Sequence, residues 1–241
     1  QRHLAARPDV EMTAVCRLGK AELQTVRAQF GFKFATEDYR ELLKKCELDA
    51  VVVTSPHTLH FEHAQAALEA GLHVMAEKPM CIRATEAREL VRLADEERRH
   101  LLVPYGWHYK PFVQEAKRRL DSGAIGKIEY VLCHMASPLR NLLGGRGLRM
   151  GRGTGSAAEE LFQPQAATWA DPIVASGGYG HAQISHSGGM LFWLTDLEPK
   201  HVFAMMSAPG TAVELYDAIT VRFGNGAIGS VSGAGTVPEP Q

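Results

Sequence analysis

Along the first half of the chain, apolar positions switch between two periods. Met12 to Cys16 is a short apolar run bounded by charge, and Asp49 to Thr54 carries three consecutive valines before the Ser55-Pro56 turn signal. Both predict strands. The valine run is apolar on both faces, which predicts a strand covered on each side within a parallel sheet. His73 to Ala76 and Leu101 to Tyr105 predict two more strands. Between these runs the period lengthens. Lys20 to Phe30 sets Leu23, Val26 and Phe30 on one helical face and stops at Gly31. Asp38 to Cys46 does the same with Tyr39, Leu42 and Leu43. Thr58 to Ala70, Thr85 to Arg99 and Lys110 to Asp121 read as further helices, and the residues before Pro8 as the end of another. Strand and helix therefore alternate through residues 10–123, the pattern of a doubly wound α/β sheet with right-handed crossovers.

After Gly126 the pattern changes. Lys127 to Ala136 predicts a longer strand of mixed polarity. Residues 138–180 are rich in Gly, Arg and Pro, with a glycine-dense stretch from Gly144 to Gly155, and predict one long loop. Ser185 to Leu194 predicts a helix. His201 to Ser207, Asp217 to Phe223 and Ala227 to Gly233 predict strands, the last two joined at Gly224-Asn225-Gly226. The expected organisation is an α/β domain over 1–123 and an α+β domain with a mostly antiparallel sheet over 124–241.

Composition narrows the function class. Hydrophobic residues are 45% and charged residues 22%, as in ordinary globular proteins. A net charge of −1 gives no footprint for nucleic acid or an anionic membrane. No apolar run approaches the length of a bilayer span, and Gln1 to Pro8 carries two arginines without the apolar core of a signal peptide. The four cysteines, Cys16, Cys46, Cys81 and Cys133, are scattered. They predict reduced, mostly buried thiols in a cytoplasmic protein and no metal site.

In an open parallel sheet, ligands bind beyond the carboxyl ends of the strands. Those ends carry Cys16-Arg17, then Thr54-Ser55-Pro56-His57-Thr58-Leu59-His60, then Glu77-Lys78-Pro79. The valine strand with its Thr54–His60 turn, the Ala70-Gly71 helix end, and His73-Val74-Met75-Ala76-Glu77-Lys78-Pro79 together resemble the Gfo/Idh/MocA family of glucose–fructose oxidoreductases and inositol dehydrogenases. Gly123-Ala124-Ile125-Gly126-Lys127-Ile128 resembles that family's lead into its second domain. The resemblance implies a Rossmann-like dinucleotide-binding domain followed by a substrate and oligomerisation domain. It also implies an NAD or NADP cofactor, a sugar or cyclitol substrate, a homo-oligomer, and hydride transfer at a hydroxyl-bearing carbon. It places Thr54, Ser55, Pro56, His57, His60, Glu77, Lys78 and Pro79 along the cofactor, with a cis bond before Pro79.

Lys78 also has a physical case of its own. A lysine at a strand's carboxyl end, before a proline that stops the strand, sits beside the cleft. It can donate to a substrate oxygen, and its pKa falls when it is desolvated. Arg17 follows the first strand where NAD-preferring proteins carry a carboxylate. With Lys20 it favours a 2′-phosphate, hence NADP, on charge grounds.

The family's second catalytic element reads as glycines, an aspartate, and a histidine four residues on. This chain has Gly177-Gly178-Tyr179-Gly180-His181-Ala182-Gln183-Ile184-Ser185-His186. His186 matches the histidine, but the aspartate is missing. Gln183, three residues earlier, falls on the same helical face and can orient a substrate without taking its proton. The expected catalytic set is Lys78, His186 and Gln183. Tyr105, His108, Tyr109, Trp169 and His181 are the expected substrate contacts, and Asp171 beside Trp169 is read as helping to close the pocket. Arg140, Arg146, Arg149 and Arg152 in the long loop read as solvated, with contact to an anionic substrate as the alternative. The glycine turn G-x-G-x-x-G that holds a cofactor's pyrophosphate does not occur before residue 20. The expectation is therefore a chain truncated at both ends, its first domain lacking the first strand and the glycine turn, with poor stability. Two other readings remain open at this point: a non-catalytic small-molecule sensor or scaffold, and an NAD-using lyase or hydrolase on the same fold.

Overall fold

The computed structural model describes residues 2–147 and 164–238. They fall into two compact units. The first comprises Gln1–Val53, Glu62–Met75 and Arg88–Leu102; the second comprises Thr54–Phe61, Ala76–Ala87 and Val103–Gln241. The turns at the ends of two strands, Thr54–Phe61 and Ala76–Ala87, thus belong to the second unit.

The order begins with α1 (Arg2–Ala5), β1 (Ala14–Cys16), α2 (Lys20–Phe30), β2 (Phe34–Thr36), α3 (Tyr39–Lys45) and β3 (Ala50–Val53). It continues with α4 (His60–Glu69), β4 (His73–Ala76), α5 (Ala84–Glu96) and β5 (Leu101–Leu102). Leu23 and Val26 of α2 are buried, and Gly31 ends that helix at a positive φ of 70°. Asp38 caps α3 by accepting from the Arg40 N–H. β2 has no counterpart in the sequence reading, because three residues are too few to show a period. It pairs in parallel with β1, and β4 pairs in parallel with β5.

The strands form two sheets, β1–β2 and β3–β4–β5, and no described strand joins them. Two expectations need correction. β3 is an outer strand of its sheet, so Val52 is 46% exposed and the valine run is not covered on both faces. The thiols are also less buried than expected. Cys16 is exposed and the other three are intermediate, all four free.

The second unit continues with α6 (Pro111–Asp121), β6 (Tyr130–Ala136), α7 (Arg140–Leu143), α8 (Ala166–Ala170), α9 (Pro172–Ala175), α10 (Ser185–Thr195), β7 (Pro199–Ser207), β8 (Tyr216–Phe223) and β9 (Ile228–Ala234). The sheet order is β6-β9-β8-β7, with β6–β9 parallel and the other two pairs antiparallel. The expected long loop over 138–180 contains α7, α8 and α9. These are too short for periodicity to reveal, and Arg149, Arg152 and most of the glycine-dense stretch lie outside the described residues. The inner face of the sheet packs Val221, Phe223 and Val231 against Leu139, Leu142, Leu143, Tyr179 and Leu191. Each such aliphatic or aromatic burial contributes about 1.5–3 kcal/mol.

Tyr179 is the centre of this core and fully buried. Its hydroxyl lies 3.0 Å from Ser137 Oγ and donates to the Met135 carbonyl at 3.1 Å. β9 meets the ring through glycine: a Cβ at Gly233 would lie 2.6 Å from it. The glycine there makes room for the tyrosine that seats the Gly177–Gly180 run.

Candidate active site

β3 ends at Val53, and Pro56 directs the chain into a 3-10 turn, His57–Leu59, that leads into α4. This turn docks on α9. His57 Nδ1 lies 3.0 Å from the Ala175 carbonyl, and Thr58 Oγ1 donates to the Val174 carbonyl at 3.1 Å. α9 has Pro172 in its first turn and Asp171 as its cap, accepting from the Ile173 N–H. A carbonyl only accepts, so Nδ1 of His57 carries the hydrogen. Burial first holds His57 down to about 4, so the ring is neutral and Nε2 keeps its lone pair.

Lys78 follows β4 and precedes Pro79, which is buried and joined by a cis peptide bond as the resemblance implies. Its ammonium donates to the Ala182 carbonyl at 2.8 Å and stands 5.7 Å from the Trp169 ring centroid. Desolvation by burial lowers its pKa, partly offset by Glu77. Trp169 in turn packs edge-on to His57, with centroids 5.1 Å apart. Thr54, Ser55, Pro56, His57, His60, Glu77, Lys78, Gln165, Thr168, Trp169 and Ala175 line a cleft of about 300 Å³.

The glycine run leads into a π turn, Gly180–Ile184, and then α10. A π turn winds more slowly than an α-helix, so the expected shared face of Gln183 and His186 does not follow from their spacing. Gln183 lies in the π turn and His186 in the first turn of α10. Burial, then the Lys78 charge, hold His186 down to about 4. Its Nδ1 is buried without a partner among the described residues. Tyr105 presents its ring edge-on to His186, centroids 6.0 Å apart, and fits against Gly189, where a Cβ would lie 3.1 Å away. His108 stacks on Trp193 at 4.8 Å.

The structure therefore gathers eight of the expected site residues in one cleft: Thr54, Ser55, Pro56, His57, His60, Glu77, Lys78 and Trp169. Tyr105, His108 and His186 form a ring cluster outside its lining. Tyr109 is 68% exposed on the turn after β5 and is not part of the cleft. His181 is not part of it either: its Nδ1 is buried beside Gly177. Arg17 belongs to the first unit, where its N–H donates to the Thr36 carbonyl. The turn that follows is not purely cationic, because Glu37 accepts from the Gly19 N–H at 2.7 Å. Gln165 and Thr168 were missed because they follow the long loop on a helix of five residues. Asp217 was missed because one acid in a strand gives no signal. It is 3% exposed, and neither carboxylate oxygen has a partner among the described residues. Burial, then the Glu214 charge, push it up to about 6. No group of His, Cys, Asp or Glu among the described residues is arranged to hold a metal.

Residues 1–105 match the NAD-binding Rossmann fold of the GFO_IDH_MocA oxidoreductase family, and residues 113–241 match the GFO/IDH/MocA C-terminal domain. The chain belongs to the Gfo/Idh/MocA family. Among its relatives, D-glucoside 3-dehydrogenase of Escherichia coli is 30% identical over 52% of this chain and 36% of that protein. Inositol 2-dehydrogenase/D-chiro-inositol 3-dehydrogenase of Lactiplantibacillus plantarum is 35% identical over 49% of this chain and 35% of that protein. The chain thus matches about a third of the length of these family members. Of solved structures, GenD2 from gentamicin A biosynthesis, in complex with NAD, aligns with a TM-score of 0.81 at 20% identity, over 99% of this chain and 62% of that one. Levoglucosan dehydrogenase, in complex with NADH and levoglucosan, aligns with a TM-score of 0.77 at 22% identity, over 94% and 58%. At these identities the alignments establish the family fold: a Rossmann domain followed by a domain with a mostly antiparallel sheet.

Proposed function

We propose that this chain carries the reaction centre of an NAD(P)-dependent oxidoreductase that moves a hydride between nicotinamide C4 and a hydroxyl-bearing carbon of a sugar or cyclitol. The observation that carries this reading is the pairing of a desolvated Lys78 ammonium at the cleft with a neutral His186 inside the reach of its charge. Relatives named as glucoside and inositol dehydrogenases support the substrate class.

The cleft suits the nicotinamide end of the cofactor. It offers the Trp169 ring, the free Nε2 of His57 and the Thr54-Ser55-Pro56 turn to a planar ring bearing an amide. When bound, the nicotinamide supplies the acceptor or donor of the hydride. The protein's own groups handle the oxygen. One Lys78 proton is spent on the Ala182 carbonyl; the other two are free to donate to the substrate oxygen and to stabilise charge developing there. In the oxidative direction the substrate O–H proton passes to His186, the C–H bond breaks with its electron pair, and the carbonyl forms. In the reductive direction the imidazolium returns the proton. A neutral histidine has the lone pair that accepts this proton without the absent aspartate, and this supports catalysis over a sensor or scaffold.

Arg17 and Lys20 favour NADP and Glu37 favours NAD, so both cofactors belong in the assay. The protein acts on small molecules in the cytoplasm, without nucleic acid or membrane partners. No helix among the described residues is long and apolar enough to cross a membrane. It works as a homo-oligomer, supported by the bare outer face of its sheet. There the paired row Leu132, Ser230, Thr220 and Phe203 runs across all four strands, and Tyr130, Ile228 and Met205 add further exposed apolar area.

The test is NAD(P) reduction, followed by absorbance, with myo-inositol, glucose, methyl glucoside and levoglucosan as probes. Turnover in the wild type that is lost in Lys78→Ala supports the reading. Cofactor binding without net redox on any of these, but with bond cleavage, would move the protein to the lyase or hydrolase class.

A further inference from the structure

His60 is 1% exposed, and both of its ring nitrogens face backbone carbonyls. Nδ1 lies 2.7 Å from the Pro79 oxygen and Nε2 lies 2.7 Å from the Ser55 oxygen. A carbonyl oxygen has lone pairs and no proton to give. A neutral imidazole carries one N–H and one lone pair, so in this setting it would press its lone pair against a carbonyl lone pair. Only the doubly protonated ring donates at both ends. The distances agree, since 2.7 Å is at the short end for charge-assisted N–H···O bonds and below the usual neutral value of about 2.9–3.0 Å. His57, whose ring centroid is 5.8 Å away, differs in this respect. It has one carbonyl partner and stays neutral.

The two carbonyls belong to the two turns that carry the cleft. Ser55 sits in the turn after β3, beside Thr54, Pro56 and His57. Pro79 follows Lys78 directly. We propose that His60 is the positioning residue of this site: a buried imidazolium that ties the Ser55 and Pro79 carbonyls together and so fixes Lys78 relative to the Thr54–His57 wall. It does not touch substrate. Its position at the first residue of α4 places the ring between the turns, whereas the family resemblance implies a contact with the cofactor. The proposed effect on turnover rests on the oxidoreductase reading above; the charge state of the ring does not.

The first experiment uses the wild-type chain without ligand. Nitrogen-15 NMR of the histidine side chains, with the His60 ring assigned through space to Ser55 and Pro79 protons, reads the protonation of each nitrogen. The expected result is two protonated nitrogens at pH 7.5, against the single-lone-pair pattern of His57. A lone-pair nitrogen on His60 at that pH would overturn the proposal.

The second experiment compares His60→Gln with wild type in the NAD(P) reduction assay. The glutamine amide donates to one carbonyl and opposes the other, so turnover should fall on the order of tenfold while KM for the cofactor moves less than about twofold. A change in KM alone would make His60 part of the cofactor wall and overturn the positioning role. If the wild type shows no turnover, the oxidoreductase reading fails, and the NMR result alone still decides whether the imidazolium clamp exists.

Discussion

Burial treats Lys78 and His186 alike: each is a base whose charged form is disfavoured, so each is drawn toward neutrality. In the proposed reaction Lys78 is the donor to the substrate oxygen, and its ammonium acts from one point. Lys78→Ala should lower kcat/KM by about 10²–10⁴-fold, and Lys78→Arg should not restore it, because a planar fork cannot replace a compact ammonium. Steady-state kinetics checks both. The consequence for stability is a pH dependence. His57 and His186 have folded pKa values of about 4, below the 6.5 of the unfolded chain. Between those values the unfolded chain binds protons first. Stability present above pH 6.5 is therefore lost as the pH falls toward 4, by up to about 3 kcal/mol for His57 and less for the half-buried His186. Urea midpoints from pH 7.5 to 4.5 should fall; a flat profile would mean that the rings are not buried. Asp217 has the opposite sign. Its folded value of about 6 lies above the ordinary 3.8, so its protonated form favours folding and that contribution is lost as the pH rises through 6. Asp217→Asn should raise stability at pH 7.5 by about 1–3 kcal/mol and gain less below pH 6. Loss of stability at pH 7.5 would show that the carboxylate has a partner there.

At the scale of elements, the sequence made the long periodic segments legible and the short ones illegible. α2, β4 and α10 start where the apolar period starts, and α2 stops where glycine permits a left-handed residue. β2, α8 and α9 were invisible because three to five residues hold less than two turns of any period. The same holds within the site. Lys78 and the Thr54–His60 turn were legible mainly through the family resemblance they carry, with strand ends and proline marking their place. The π turn at Gly180–Ile184 was not, since Tyr179 before it and Ile184 within it pack against Gly233 of β9, a partner distant in sequence. That packing is testable. Gly233→Ala would drive a methyl into the Tyr179 ring, whose hydroxyl is tied at both Ser137 and Met135. Overpacking of this kind costs about 1–3 kcal/mol. A denaturation curve of Gly233→Ala that overlays the wild type would show that the ring can yield.

At the scale of the molecule, the outer face of the second unit's sheet leaves Leu132 and Phe203 in one paired row open to solvent. A specific dimer buries about 1,200–2,000 Å² in total, and a face of this kind supplies its apolar part. Leu132→Glu together with Phe203→Glu should lower the sedimentation mass to that of a monomer and leave the helical circular-dichroism signal in place; an unchanged mass would move the contact elsewhere. The measurement that bears most directly on the whole account is calorimetric titration of NAD and NADP into the folded chain. Saturable binding of at least one of them is expected, through the cleft of Thr54–His57, Lys78 and Trp169. Folded protein that gives no heat with either would contradict it.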